Sequence, residues 1–217
     1  MFAGGEKVVL RLKNFSIDFL RHASTLISFG EKKIYIDPWK LPLNPPKADL
    51  ILVTHEHYDH CDQKAINAIS QSGTIIVTNQ SCASKLGGKI KTLRVGETIN
   101  LSGVEIFGVA AYNVEKKFHP KGLVIGFVLD FNGERVYHAG DTDFIPEMNY
   151  LKDITVALLP IGGTYTMNEK EAAQAANAFL PKMVVPMHFN IVEGTSADPD
   201  KFASLVSKKV KVKILCR

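Results

Sequence analysis

Six residues constrain this chain more than any other stretch: His55-Glu56-His57-Tyr58-Asp59-His60. They follow Leu50-Ile51-Leu52-Val53-Thr54, a continuous apolar run of the kind that forms a strand covered on both faces. A loop leaving such a strand end can aim several side chains at one point. Imidazole and carboxylate are the ligands of zinc, iron and manganese. The plain alternative, a solvated polar loop, gives four ligand-type groups no packing purpose.

Two other strand ends carry the same chemistry. Tyr137-His138-Ala139-Gly140-Asp141-Thr142 sets a carboxylate beyond a strand, after a glycine that permits close backbone approach. Val184-Val185-Pro186-Met187-His188 ends a buried strand in a histidine. Taken alone, Asp141 reads as a turn aspartate and His188 as a satisfied rim residue.

Around these points the pattern predicts strands at 8–12, 16–20, 25–29, 32–36, 50–54 and 74–78, with a helix over 63–70. Ser81 is a candidate cap for a short helix ending at Gly87-Gly88. Strands follow at 104–109, 123–131 and 135–137, the last two joined through the turn pair Asn132-Gly133. Another is expected at 155–159. Thr166 to Glu169 has capping-box form and opens a helix to about Leu180. A strand at 183–187 precedes a helix capped by Asp198 with Pro199 at its first position, running to about Ser207; 210–215 reads as a closing strand. Strands dominate the first half and alternate with helices in the second. That favours an α+β architecture of two mixed sheets with helices on their outer faces, built as one domain over residues 1–217.

Composition excludes several classes. With 217 residues, 46% of them hydrophobic and 22% charged, the chain can bury a sizeable core and is not disordered. No run approaches the ~18 apolar residues of a membrane span. A net charge of +4, with basic residues spread out, does not point to nucleic acid. The three cysteines, Cys61, Cys82 and Cys216, are too scattered for a disulfide scaffold, and Cys61 reads as a buried free thiol. The first twenty residues alternate rather than form a signal-peptide core, so a cytoplasmic address is expected. A homo-oligomer is left open.

The motifs His55-x-His57-x-Asp59-His60, Gly140-Asp141-Thr142 and Pro186-Met187-His188, in this order, resemble the metallo-β-lactamase-fold hydrolase superfamily. Phe19 to Ser24, Ile36-Asp37-Pro38 and Leu158 to Gly163 resemble its small stand-alone branch, similar to L-ascorbate-6-phosphate lactonase. The resemblance runs from about Ser16 to His188. It implies a four-layer αββα sandwich with two divalent metal ions, zinc first and manganese or iron next, at one edge of the sheets. His55 and His57 would hold the first metal, Asp59, His60 and His188 the second, and Asp141 would bridge them.

Many relatives carry one more histidine for the first metal where this chain has Asn113. The next histidine is His119, read as a ligand or substrate contact, or else as a loop residue in a weakened one-metal site. The resemblance places His22 in the cleft, binding a substrate anion or stabilising charge; the alternative is a histidine bonded to backbone. His138 and Asp37 read as supporting residues. The implied activity is hydrolysis by a metal-bound hydroxide, positioned by Asp59, of an ester or lactone in a small anionic substrate. A phosphodiesterase acting on nucleic acid or lipid head groups, and a metal-binding sensor without turnover, are the alternatives.

Overall fold

The computed structural model describes residues 9–215. The first of two seven-stranded sheets holds β1 (Val9–Arg11), β2 (Ser16–Arg21), β3 (Ser24–Phe29), β4 (Lys32–Ile36), β5 (Leu50–Val53), β6 (Ile75–Thr78) and β7 (Ile90–Thr92), in that order. Strands β1 to β4 form an antiparallel meander, and β4 to β7 are parallel. The second sheet holds β8 (Thr98–Leu101), β9 (Val104–Ala111), β10 (Val124–Phe131), β11 (Glu134–His138), β12 (Ile154–Pro160), β13 (Met183–Met187) and β14 (Lys211–Val212). It repeats the plan: antiparallel from β8 to β11, parallel from β11 to β14.

Parallel neighbours need a crossover, and helices provide most of them. Helix α1 (Gln63–Ile69) links β5 to β6, and α2 (Gln80–Ala83) links β6 to β7. In the second sheet α3 (Glu169–Phe179) and α4 (Pro199–Leu205) make the crossovers on either side of β13. This is the expected sandwich of two mixed sheets. The run 50–53 is apolar throughout because both of its faces are buried. Leu50 and Leu52 join Ile34, Ile36 and Val77 in the core between the sheets. Ile51 and Val53 join Tyr35 and Ile76 beneath Ile66 and Ile69 of α1. Each such side chain contributes about 1.5–3 kcal/mol by leaving water.

The helix starts differ from expectation. Helix α3 is capped two residues later than predicted: Asn168 accepts from the backbone N–H groups of Lys170 and Glu171, and Glu171 bonds back to the Asn168 N–H at 2.9 Å. Asn and Glu at this spacing serve as well as Thr and Glu. Likewise Asn79, not Ser81, caps α2, accepting from Cys82 N–H at 2.9 Å. The closing strand shrinks from 210–215 to two paired residues in β14, because only these meet β13 in register. Val8 of the first predicted strand, and Cys216, lie outside the described residues. No helix among the described residues is long and apolar enough to cross a membrane.

At the edge where β5, β11 and β13 end, backbone hydrogen bonds cross between the sheets. Ile125 donates to Thr54 at 3.0 Å, and His188 N–H donates to the His22 carbonyl at 2.8 Å. His138 adds a third tie through Nε2, 3.0 Å from the Ala23 carbonyl. This fixes the two strand ends relative to each other, and the histidine cluster lies there.

Candidate metal centre

Five connections deliver the site. The β5–α1 connection carries His55, His57, Asp59 and His60; the β2–β3 turn carries His22; the loop after β11 carries Asp141; and the loop after β13 carries His188. His119 comes from the β9–β10 loop. Three non-glycine residues here adopt left-handed backbone: His22 (φ 56°), Asp37 (φ 47°) and His188 (φ 56°). Asp and His tolerate this region better than most residues, and such strain concentrates where side-chain direction matters.

The ligand-type atoms fall into overlapping groups, each within 4.8 Å: His55, His57 and His119; His55, His60 and Asp141; and His22, Asp59, His60 and His188. In the first group His55 Nε2 lies 3.0 Å, and His119 Nε2 3.2 Å, from His57 Nδ1. Asp141 ties the groups together: its Oδ2 is 3.2 Å from His119 Nε2 and 2.9 Å from His188 Nε2. Its Oδ1 is 3.4 Å from His60 Nε2. Yet Asp141 Oδ1, His60 Nε2 and His188 Nε2 are buried without a properly aligned hydrogen bond. Atoms that converge at these distances while pointing past one another share a centre that a cation would satisfy. The donor set, imidazole nitrogen plus carboxylate oxygen, fits zinc, manganese or iron.

Electrostatics agree for the two carboxylates and for His55 and His57, whereas Asp141 and Asp37 raise the pKa of His60 against the effect of burial. Asp141 is fully buried, which by itself opposes ionisation, but the charges of His188 and His60 and the close approach of the His119 and His188 rings hold its pKa far below the usual carboxylate range. Asp59 behaves similarly: burial resists, while the His22 hydrogen bond and His60 carry it down to about 2. Both carboxylates are anionic at neutral pH. Burial lowers the pKa of His55 well below the ordinary histidine value and that of His57 below it, favouring the neutral form that ligation requires, with neighbouring imidazoles adding to the effect.

The supporting residues explain the orientation. Asp37 accepts from the Thr54 N–H and hydroxyl, both at 2.8 Å, and its Oδ2 lies 2.7 Å from His60 Nδ1. That turns His60 Nε2 toward Asp141. Asn113 stands beside the cluster as the holder of His119: its Oδ1 accepts the His119 backbone N–H at 2.9 Å and lies 3.2 Å from His119 Nδ1. The second Nδ1 contact is the Tyr165 carbonyl, at 3.2 Å. The histidine missing at 113 is thus matched by one six residues on, whose ring reaches the same cluster.

His22 is placed otherwise than expected. It is 2% exposed and faces no cleft; Nε2 lies 3.1 Å from Asp59 Oδ2, and its ring packs against His188, tilted by 41°, with centroids 3.9 Å apart. Burial drops its pKa to about 4, against the pull of the Asp59 hydrogen bond. It stands behind Asp59 and His188 and is not among the residues that line the cavity over them. His138 is buried and bonded to backbone, apart from the cluster. Cys61 is a free, half-buried thiol.

A cavity of about 250 Å³ opens onto this centre. His57, Asp59, His119, Asp141 and His188 form its floor, and Tyr58, Phe118, Tyr165 and Val192 its walls. Sequence reasoning missed these walls. Tyr58 lies inside the motif and Phe118 beside His119, so adjacency to ligand-type residues was the available signal; Tyr165 and Val192 offered none.

Comparison with known proteins agrees with this fold. The profile of the beta-lactamase superfamily domain matches residues 16–188. A UPF0173 metal-dependent hydrolase of Thermococcus kodakarensis is 38% identical, over 92% of this chain and 95% of that protein. Among solved structures, a protein of Parabacteroides distasonis assigned as a metal-dependent hydrolase superposes with a TM-score of 0.87 at 37% identity, covering 96% of this chain and 97% of that one. Igni18, a metallo hydrolase of the archaeon Ignicoccus hospitalis, gives 0.76 at 28% identity, with 92% and 94% covered. The sequence motifs, the paired mixed sheets and these likenesses agree: the chain belongs to the UPF0173 metal-dependent hydrolases of the beta-lactamase superfamily.

Proposed function

We propose that the chain is a dinuclear hydrolase that cleaves an ester or lactone bond at the floor of the cavity. The observation that carries this reading is the convergence, from both sheets, of buried imidazole and carboxylate atoms that lack aligned partners. His55, His57 and His119 would hold one divalent cation, zinc first, and Asp59, His60 and His188 a second, with Asp141 between them. Such cations supply Lewis acidity and make a bound water acidic enough to be deprotonated near neutral pH.

The chain's own residues do the rest. Asp59 lines the cavity as an anion, its Oδ2 fixed by His22, and can orient an attacking water by accepting its hydrogen bond. Asp37 and Asn113 hold His60 and His119 in direction, so the floor is preorganised before substrate arrives. The aromatic walls exclude water from one side of the reacting carbonyl. An anionic substrate would be drawn by the cations themselves, since no Lys or Arg lines the cavity.

Elemental analysis of the purified protein, with hydrolysis of lactone, carboxylic ester and bis-phosphodiester substrates before and after chelation, tests the proposal. Two equivalents of metal and cation-dependent ester or lactone cleavage are expected. Undiminished turnover by metal-free protein would overturn it, and selective phosphodiester cleavage would replace the bond assignment.

A further inference from the structure

The cavity walls specify more than a hydrolysable bond. Phe118 and Tyr165 stand edge to face, with centroids 4.8 Å apart and planes at 85°, the preferred geometry of an aromatic pair. Tyr58 meets the buried Trp39 edge-on at 6.0 Å. Both mouth aromatics remain open to solvent, Tyr58 at 66% and Phe118 at 47%. With Val192, also a lining residue, they make a contiguous apolar rim around a polar floor, as in pockets that bind a largely apolar ligand through a few polar contacts.

Three nearby cations are committed elsewhere. Lys116 pairs with Asp143 at 2.6 Å and donates to the Thr166 carbonyl at 2.9 Å. Lys40 lies over the Trp39 ring at 4.3 Å, and Lys121 pairs with Glu147 at 3.1 Å. A second anionic group on the substrate, away from the bond broken, finds no counter-ion in the walls. An aromatic group finds three rings.

We infer that the substrate carries an uncharged aromatic or comparably flat apolar group beside the scissile bond, seated among Tyr58, Phe118 and Tyr165. This rests on the proposed ester or lactone hydrolase reading and names the substrate class for the same site. Tyr58 and Phe118 are then specificity-determining residues: they touch the apolar group and leave the reacting atoms to the floor.

The test separates the two claims. Metal-loaded protein is given methyl acetate, methyl phenylacetate and monomethyl succinate, with acid release followed at constant pH. The phenylacetate ester is expected to show a kcat/KM at least about tenfold above either other ester, a modest return for burying one phenyl ring. In Phe118→Ala and Tyr58→Ala the ratio of phenylacetate to acetate falls toward one. Equal rates for all three esters, or a preference for succinate, overturn the inference while leaving the hydrolase reading intact.

Binding is read independently. Trp39 is the only tryptophan, and its contact with Tyr58 makes its emission a reporter of the mouth. The neutral, uncleavable probe 4-nitrobenzyl alcohol is expected to quench it saturably in the native chain and not in Phe118→Ala. Saturable quenching with none of the esters cleaved supports the aromatic site and overturns the ester reading instead. Absence of quenching in the native chain counts against the aromatic site whatever the rates.

Discussion

Asp37 shows how much of this centre hangs on one side chain that touches no substrate. It is fully buried and serves Thr54 twice and His60 once, at 2.7–2.8 Å. Asp37→Asn keeps the size and tolerates the same left-handed backbone, but turns one acceptor oxygen into a donor facing another donor. Metal affinity is expected to fall about 10–100-fold, as for other partners of metal-ligating histidines. Stability should drop by about 1–3 kcal/mol. Metal titration and a thermal melt of the same preparation check both, and unchanged affinity would show that His60 needs no such partner. Asn113→Ala should weaken metal binding similarly, by freeing the His119 ring and backbone N–H together. The six ligand-type residues of the three motifs were legible in the sequence because each sits next to a strand end, a position that local pattern reveals. The placement of His22 was not: whether a turn histidine looks into the cleft or behind Asp59 depends on a left-handed φ and on packing against His188, neither of which leaves a trace in spacing.

At the scale of elements, strand ends aim the ligands, and the backbone beneath them must come close enough to allow it. Gly162, just beyond β12, is a tight case beside a ligand-type residue: a Cβ there would clash with the His188 carbonyl and lie 3.0 Å from Thr195 Cβ. Gly162→Ala must push the turn after β13 outward, at a cost of about 1–3 kcal/mol. His188 moves with it, so metal stoichiometry or affinity should decline alongside the melting temperature. Asn168→Ala is the matched contrast. It removes the cap of α3, costs about 1 kcal/mol, and should leave metal binding unchanged because α3 contributes no group to the cluster. Equal effects of the two variants on metal binding would mean that global stability, rather than the aim of β13, sets affinity. Element types were largely readable, since 50–53 and 154–160 are apolar enough to need cover on both faces. Edges and caps were not. β14 ends where its pairing with β13 stops, and capping at Asn168 instead of Thr166 is a choice between two competent caps that only the tertiary position of α3 decides.

For the whole molecule, the decisive fact is that neither sheet holds the centre alone. His55, His57, Asp59 and His60 belong to the first sheet's connections, and His119, Asp141 and His188 to the second's. Without a cation these loops bring two anionic carboxylates and several desolvated imidazoles together, an arrangement whose burial is poorly compensated. A cation bound there binds only the state in which the two sheets are docked. Linkage then requires stabilisation of the folded chain by RT ln(1 + [M]/Kd), about 4 kcal/mol when free metal exceeds Kd a thousandfold. At roughly 2–4 °C per kcal/mol for a chain of this size, the melting temperature should rise by about 10 °C on loading with zinc, and chelation should reverse the gain. The size of the shift identifies the site. In His57→Ala, which removes one ligand-type group of the first cluster, a smaller increment should remain, whereas Asp141→Asn, which touches both groups, should abolish nearly all of it. If native, His57→Ala and Asp141→Asn chains gained equally from zinc, the cation would be bound elsewhere on the surface, and the two sheets would be held together by their apolar core and cross-sheet hydrogen bonds alone.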